Sequence, residues 1–392
     1  MKKIIKLILL FICIPFAGTA QTSIEDVLQE IELNNTVLST LRKQADAEKV
    51  GNQTGIYPEN PEVEMHYLWG NNTPGNRTDF SASQSFDFPT AYYYKRKIAD
   101  KKNMKLDLKY EIERNEILLE ARQKCIELTY INAYMVEMRK RVSHAKQIAD
   151  AYQLKFDKGE ANILDLNKVK LNLLNARKGL NKHQTEKELL INELTRMNGG
   201  NVLTFESTTY KPELLPTDFE QWYVGMKEKN IGLHYLQEET AISKNSEKLQ
   251  RSMNLPKFSV GYMSEKVLNE QFQGVIVGIS IPLWENKNTV RQIKAQTIAN
   301  QAAQNDADIR NYNLYQSMYN KAAKLLEIIT EYATDMAGVD NSDLLKKALD
   351  AGEISLIDYI LELEIYYEAI DNILETERDY QLVISEMKQW EL

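Results

Sequence analysis

The sequence has few residues that break or crosslink a chain. Its 392 residues include two cysteines, nine prolines and 16 glycines. Cys13 lies in an N-terminal segment that we predict to be removed, so Cys125 would have no partner for a disulfide within the mature chain. Because Cys125 lies in an apolar, helix-like stretch, we predict that it is a small residue of the core.

The sequence also lacks the residue patterns of common enzyme, metal and cofactor sites. It has no Gly-rich phosphate loop, no G-x-S-x-G motif and no Cys-pair motif. The histidines do not have the spacing of a metal or catalytic site; they are His66, His144, His183 and His234. Paired carboxylates such as Glu362 and Glu364 lie among many Glu and Lys residues, which is typical of a solvated helix face. We therefore predict no catalytic residue, metal site, cofactor or enzymatic activity.

The chain also has no net positive charge and, beyond its N-terminus, no long apolar run. The chain has 48 basic and 56 acidic side chains, a net charge of −8, and we identify no basic patch. This acidic balance argues against nucleic-acid binding. Beyond the N-terminus, no stretch approaches the roughly 18 uninterrupted apolar residues of a transmembrane helix. If the chain crosses a membrane, it must therefore do so with β-strands.

Residues 1–20 have the pattern of a secretory signal peptide. Three lysines precede a short apolar run over 7–16, and small residues follow before Gln21. The predicted mature chain begins near Gln21, with 45 basic and 56 acidic side chains and a net charge of −11. Ile12 precedes Cys13 where a lipoprotein signal would have a small residue, so we expect simple cleavage without lipidation.

An internal repeat is the most informative feature that the chain does have. Segment 155–171 (KFDKGEANILDLNKVKL) recurs as 348–364 (ALDAGEISLIDYILELE), 193 residues later. In each copy, a helical run ends near a Gly and an apolar periodic run begins just after it. The residues that recur are Asp157, Gly159, Glu160 and Asp165, as Asp350, Gly352, Glu353 and Asp358. Such a repeat reveals architecture, here a duplicated helical hairpin.

Two regions, 62–88 and 257–282, alternate apolar and polar residues with a period of two. Each contains two runs separated by a loop and is bounded by proline, as expected of β-hairpins. Four strands cannot close a membrane barrel, since the smallest single-chain bacterial barrels have about eight, whereas three copies would supply twelve. The alternative is that both hairpins cover a soluble core. The aromatic residues predicted to face lipid are Tyr67, Trp69, Phe80, Phe86, Phe88, Phe258 and Tyr262.

Long helices follow each predicted hairpin. Residues 91–157 contain neither Pro nor Gly and would form a helix of about 100 Å at a rise of 1.5 Å per residue. Another long helix is predicted over 286–337, with an interruption near 338–341 and a continuation to 352. The predicted return helices are 161–197 and 354–390, and the predicted shorter helices are 23–53 and 218–252. We divide the chain into a signal peptide (1–20), a first repeat (21–200), a linker segment (201–217) and a second repeat (218–392).

With this order of elements, the chain resembles the TolC-like outer membrane efflux proteins over nearly its whole mature length, about 23–390. The resemblance rests on the duplicated Gly-turn segments, FDKGEANILDLNKVKLNLLNARKGL (156–180) and LDAGEISLIDYILELEIYYEAIDNIL (349–374), and on the strand–strand–long-helix order before each copy. In the first copy, the run Asn175-Ala176-Arg177 is similar to part of the family's tip motif.

The resemblance implies a mainly α fold with a small β part. In such a homotrimer, long antiparallel, coiled-coil-like helices form an α-helical barrel, and four strands per chain contribute to a twelve-stranded transmembrane β-barrel. It implies a place in the outer membrane of a Gram-negative bacterium, with most of the chain in the periplasm. The implied function is a passive duct of a tripartite efflux or type I secretion system. The implied partners are outer-membrane lipid, a periplasmic adaptor and, indirectly, an inner-membrane pump.

The resemblance also implies roles for the two Gly turns at the periplasmic tip. The predicted adaptor-docking residues are Gly159, Glu160, Gly352 and Glu353. Asp165 and Asp358 are the candidate gate, because acidic rings formed by three copies would repel one another and attract cations. The alternative is that both aspartates only complement helix N-termini. The second copy has Tyr359-Ile360-Leu361 and Glu362 rather than a second nearby Asp, so its constriction would be built differently.

The competing interpretation is a soluble periplasmic coiled-coil scaffold or adaptor, which would not need a membrane partner. The sequence does not identify the cargo, which could be small molecules, metal cations or secreted proteins. A Met- or His-rich lumen would favour metal cations, and the sequence does not clearly show one.

Overall fold

A computed structural model of the chain describes residues 23–71, 75–268, 270–336 and 341–392. The predicted signal peptide lies outside these residues, as does most of the predicted interruption near 338–341. Within the described ranges, every helix is too short or too polar to cross a membrane.

Most of the described chain is helical, which confirms the predicted fold class of a mainly α protein with a small sheet. The long stretch without Gly forms one helix of 69 residues. It begins at Pro89, where the missing N–H costs no hydrogen bond. The helices are α1 (Ile24–Asn34), α2 (Thr36–Asn52), α3 (Pro89–Asp157), α4 (Ile163–Met197), α5 (Phe219–Lys229), α6 (Ile231–Met253), α7 (Thr289–Asp335), α8 (Ser342–Ala351) and α9 (Leu356–Met387).

Two helices that the sequence predicts as continuous are each interrupted at one Asn. The predicted first helix divides at Asn35 into α1 and α2, and its counterpart divides at Asn230 into α5 and α6. Each Asn has extended backbone angles, and its side-chain oxygen accepts from an amide of the next turn, 3.0 Å from Leu38 N and 3.1 Å from Leu233 N. Both are N-caps. The two positions are 195 residues apart, within two residues of the 193-residue offset of the repeat, so both halves are interrupted at nearly the same place.

The four strands form one antiparallel sheet in the order β1-β2-β3-β4. They are β1 (Glu62–Leu68), β2 (Arg77–Phe86), β3 (Lys257–Val267) and β4 (Glu270–Ser280). Pairing of β2 with β3 joins the two hairpins, with Phe86 opposite Phe258 and Arg77 opposite Val267. All four connections to helices therefore leave from the same end of the sheet, where β1 and β3 begin and β2 and β4 end. The strand ends that the hairpin loops connect lie at the opposite end of the sheet.

The described residues form two compact units, each with its own core. Of the described residues, the first unit takes 23–33, 122–212 and 341–378, and the second takes 34–71, 75–121, 213–268, 270–336 and 379–392. A core cluster of the first unit includes Ile148, Leu166, Val169, Leu349, Leu356, Tyr359 and Leu363. A core cluster of the second includes Ala322, Tyr380, Val383, Ile384 and Met387. Each unit draws on both halves of the sequence, and the predicted repeat boundaries stay a prediction.

Side chains hold the irregular segment over 201–217 in place. In the first unit, the Asn132 amide donates to the backbone oxygen of Phe205 (3.2 Å). In the second unit, the Tyr319 hydroxyl donates to the backbone oxygen of Pro216 (2.9 Å). These bonds satisfy carbonyls that no helix or strand pairs.

Cys125 is fully buried in α3, which confirms its predicted place in the core. Burial raises the pKa of its thiol to about 12. The side chain is therefore a neutral core residue at physiological pH.

Candidate functional site

The two copies of the repeat form turns with the same backbone geometry. At the first turn, Gly159 has φ of +77° and the next amide donates to the carbonyl of Lys155 (2.8 Å). At the second, Gly352 has φ of +77° and the next amide donates to the carbonyl of Ala348 (2.9 Å). Each helix thus ends in a Schellman-type arrangement. It needs a residue in the left-handed region, which glycine adopts without steric cost.

The two candidate gate residues take part in capping the return helices. Asn162 Oδ1 accepts from Asp165 N (2.8 Å), and the Asn162 amide donates to Asp165 Oδ2 (2.7 Å). Ser355 Oγ accepts from Asp358 N (3.2 Å) and donates to Asp358 Oδ2 (2.6 Å). Both are reciprocal capping pairs. The capping role that the sequence leaves as the alternative is therefore present at both aspartates, and the gating role stays a prediction.

One hydrophobic cluster brings the two turns together in the first unit. Leu166 and Val169 of α4 pack in the same cluster as Leu356, Tyr359 and Leu363 of α9. Leu166 is 2% exposed and Tyr359 is 4% exposed. The predicted docking residues lie on the surface beside this core; they are Gly159, Glu160, Gly352 and Glu353.

An ion pair that no sequence pattern predicts joins α3 to α9 within the first unit. Arg141 Nη1 donates to Asp371 Oδ2 (2.9 Å), and Nη2 donates to Asp371 Oδ1 and to the carbonyl of Tyr367 (3.2 Å). The guanidinium also lies 4.5 Å from the ring centroid of Tyr367. His144 Nδ1 is 2.9 Å from the Tyr367 hydroxyl oxygen. The partners are 230 residues apart, and no local pattern marks either residue.

A cavity of about 260 Å³ lies beside this ion pair, between α3, α4 and α9. Its lining includes Tyr134, Arg141, His144, Tyr359, Glu364 and Tyr367. Burial, and secondarily the negative charge of Asp371, raise the pKa of Tyr134. Burial, and secondarily Asp350, raise the pKa of Tyr359. Both hydroxyls therefore stay protonated at neutral pH and can act as hydrogen-bond donors.

The strand register places most of the apolar residues of the sheet on one face. Met65 lies opposite Phe80, Ala82 opposite Tyr262, and Tyr262 opposite Val275. Val275 and Val277 are each 75% exposed, and Tyr262 is 40% exposed. The other face is mostly polar; its residues include Glu62, Glu64, Asp79, Ser81, Ser83, Ser85 and Ser259. A broad exposed apolar face of this kind marks an interaction surface.

The register also locates the aromatic residues that the sequence assigns to lipid. Tyr67, Phe80, Phe86, Phe258 and Tyr262 share the apolar face. Trp69 lies one residue beyond β1, with its ring centroid 5.9 Å from that of Tyr67. Phe88 lies between β2 and α3, half-buried, with its ring centroid 6.3 Å from that of Phe258. Their contact with lipid stays a prediction.

Among the described residues, no group of three or more His, Cys, Asp or Glu side chains could hold a metal ion. The positions of the four histidines differ in character. His66 lies on β1 and His234 on α6, whereas His144 of α3 and His183 of α4 both lie near Tyr134.

Solved structures share this fold, although no family model and no curated protein matches the sequence. The chain aligns with CusC, whose structures concern conformational changes accompanying folding and transmembrane channel formation, with a TM-score of 0.78 and 12% identity. That alignment covers 95% of this chain and 92% of CusC.

Two further structures come from named bacteria. The CmeC outer membrane channel of Campylobacter jejuni aligns with a TM-score of 0.75 and 14% identity, over 94% of this chain and 85% of that chain. The outer membrane protein VceC of Vibrio cholerae aligns with a TM-score of 0.77 and 9% identity, over 94% of this chain and 95% of that chain. At such identities, the likeness establishes the fold, and it does so over nearly the whole chain.

Proposed function

We propose that this chain, which has the fold of the TolC-like outer membrane channels, is the passive outer-membrane duct of a tripartite efflux system. The observation that carries the proposal is the sheet, which combines an exposed apolar face with a polar face in a fold shared with outer membrane channels. Such a sheet suits lipid on one side and a water-filled lumen on the other.

The sheet also supports a homotrimer. Its edge strands are β1 and β4, and their unpaired backbone groups cannot stay exposed within a bilayer. Four alternating antiparallel strands leave β4 running opposite to β1, so β4 of one copy can pair antiparallel with β1 of the next. Three copies would then close a barrel of twelve strands, an even number like those of known outer-membrane barrels.

This arrangement would place the sheet in the outer membrane of a Gram-negative bacterium and most of the helical chain in the periplasm. The alternative, a soluble periplasmic scaffold or adaptor, leaves the exposed apolar face of the sheet without a partner. The neighbours of the chain are channel proteins rather than enzymes. We propose no enzymatic activity for the duct itself; an inner-membrane pump would supply the cargo.

Membrane fractionation of the expressed protein tests this proposal. We expect an integral outer-membrane protein that detergent extracts as a heat-sensitive trimer and that conducts ions in planar bilayers. A freely soluble monomer would overturn the proposal. Survival of a deletion strain on metals, dyes and antibiotics, compared with the complemented strain, would then identify the cargo class.

The two turns are the proposed docking site for a periplasmic adaptor. Replacing Gly159 and Gly352 by Glu adds side chains and charge where a Cβ would meet nothing within 4 Å. We expect this double variant to form trimers and to lose export. Asn at both positions is the matched control, because Asn tolerates left-handed backbone angles without adding charge. Export by the Glu variant would show that the turns do not dock an adaptor.

A further inference from the structure

Two strands of the sheet lead into long helices through the same sequence pattern. After β2, Pro89 is followed by aromatic and then basic residues, in the run PTAYYYKRK. After β4, Pro282 is followed by a Trp and then basic residues, in the run PLWENKNTVRQIK. The two prolines are 193 residues apart, the same offset as the two turn glycines. The aromatic-then-basic pattern is therefore part of the internal repeat.

Both runs begin at the same end of the sheet, next to the helices. Phe86 at the end of β2 lies opposite Phe258, and Phe258 lies opposite Ile279 near the end of β4. With a strand spacing of about 4.8 Å, the two strand ends are about 10 Å apart. The apolar face stops at this end of the sheet. If a bilayer covers that face, both runs therefore lie at the boundary between bilayer and water.

The first junction cluster consists of Tyr93, Arg96 and Lys97 at the start of α3. Spacings of three and four residues place these side chains on one face of the helix. The Tyr93 ring is 61% exposed, and Lys97 Nζ lies 5.9 Å from its centroid. Arg96 is exposed.

The second junction cluster consists of Trp284, Lys287 and Arg291 before and within α7. Trp284 is 79% exposed. Lys287 N donates to the carbonyl of Trp284 (3.1 Å), which closes a turn and brings the two residues together. Lys287 and Arg291 are exposed.

Two neighbouring lysines are already paired with a carboxylate. Lys95 Nζ lies 2.9 Å and Lys257 Nζ 4.0 Å from the carboxylate of Asp87. The part of the chain that the structure describes shows no comparable ion pair for Arg96, Lys287 or Arg291. Segment 92–102 alone has five basic residues and one acidic residue, in a chain of net charge −8. The sequence-based expectation that the chain has no basic patch is therefore wrong at these junctions.

We propose that the two junction clusters bind the phosphates of anionic phospholipids in the leaflet next to the helices. Exposed aromatic rings at the end of an apolar sheet are typical of a membrane interface. Arginine and lysine beside them supply the positive charge and the N–H donors that phosphate prefers. The proposal rests on the proposed function, because it requires the sheet to lie in a bilayer.

Lipid selectivity of the reconstituted full-length mature protein tests this proposal. The protein is placed in vesicles of phosphatidylcholine with brominated phosphatidylglycerol, or with brominated phosphatidylcholine instead, and quenching of tryptophan fluorescence is compared. We expect phosphatidylglycerol to be enriched at the protein at least about fivefold over phosphatidylcholine, the effect of one basic residue near an anionic surface. Raising the salt concentration to about 0.5 M should remove most of the enrichment.

A quadruple variant tests the junction clusters directly; it carries Arg96→Gln, Lys97→Gln, Lys287→Gln and Arg291→Gln. We expect it to show almost no preference for phosphatidylglycerol over phosphatidylcholine, with a ratio of about one. The matched control replaces four exposed basic residues farther along the same two helices by Gln; they are Lys109, Arg310, Lys321 and Lys324. The control should keep the wild-type enrichment.

A wild-type protein that inserts as a trimer without anionic preference, or a junction variant that keeps that preference, overturns this inference alone. A wild-type protein that fails to insert overturns the proposed function as well. The wild-type salt dependence needs no variant, so a misfolded variant does not prevent the test.

Discussion

The two turns have the same backbone and differ in what surrounds it. Both have a Gly with φ of +77° and a reciprocal cap at the start of the next helix. A continuous helix of 69 residues leads into the first turn, whereas the 10-residue α8 leads into the second. Asp165 is half-buried with Lys168 Nζ at 3.6 Å, whereas Asp358 is exposed.

This difference separates local from tertiary control. Glycine and the capping residue set the geometry of each turn within a few residues of sequence. The exposure of each aspartate depends on tertiary packing instead, and Lys168, three residues along the same helix, adds a local positive charge at Asp165. Asp358 is therefore the stronger candidate for an acidic ring in the proposed trimer, because a neighbouring lysine partly neutralises Asp165.

The largest expected effect comes from truncating side chains in the hydrophobic core that the two turns share. Leu166→Ala and Tyr359→Ala should each destabilise the first unit by about 3 kcal/mol, because both side chains are almost fully buried. Hydrogen exchange of the amides over 342–371 measures the loss as faster local opening. The exposed neighbours Leu164 and Ile357 are matched controls, and their Ala variants should change stability by less than about 0.5 kcal/mol. Equal effects in controls and core variants would contradict the shared core.

The next largest effect should come from the ion pair that joins α3 to α9. Asp371→Ala leaves Arg141 mostly buried without its carboxylate, which should cost about 1–3 kcal/mol, between the values for exposed and buried pairs. Hydrogen exchange of the amides over 342–371 measures this loss of stability as well. Lys140→Ala is the control, since Lys140 pairs with Glu137 at the surface and should cost less than about 0.5 kcal/mol. If the two variants behave alike, the pair does not support the helices.

Substitution of the turn glycines should have a smaller effect that is equal at both turns. Gly159→Ala and Gly352→Ala each force an L-residue to a φ of +77°, which should cost about 1–2 kcal/mol. Asn in place of Ala should recover part of that cost. Calorimetry of the two single variants checks the symmetry. A clearly larger cost at one turn would show that its surroundings, and not only its backbone, require glycine.

The caps should give the smallest effect. Asn162→Ala and Ser355→Ala should each cost about 1 kcal/mol, because each removes the oxygen that accepts from the amide of the following aspartate. Exchanging the two caps, as Asn162→Ser with Ser355→Asn, should cost much less. Exchange rates of the Asp165 and Asp358 amides would report each change. A costly exchange of caps would mean that the two caps are not equivalent.

Much of the fold could be predicted from local patterns. The absence of Pro and Gly over 91–157 predicted a helix that the structure shows as α3. The period-two segments predicted four strands, and all four form. The interruptions at Asn35 and Asn230 were missed although each Asn begins a capped helix. An N-cap in the middle of an apolar periodic run is a weaker signal than a proline, and only the matching repeat position could have strengthened it.

The site was predicted less completely. Both turn glycines and both capping aspartates were found because the repeat marks them. Arg141, Asp371 and Tyr367 were not found, because charged and aromatic residues are common on long helices and their pairing depends on how the helices pack. The basic junction clusters were also missed, since the net charge of the whole chain hides a local excess.

By itself, the sequence determined where the chain turns and which periodicity each segment has. Those properties depend on φ preferences, missing amide donors and the alternation of side chains over a few residues. Only the tertiary structure decided that β2 pairs with β3, that Arg141 meets Asp371, and that Asp165 and Asp358 differ in exposure. Contacts between residues far apart in the chain are selected by the packing of whole elements, and no short segment contains that information. The repeated segment thus fixes two identical turns, and their different surroundings come from the fold.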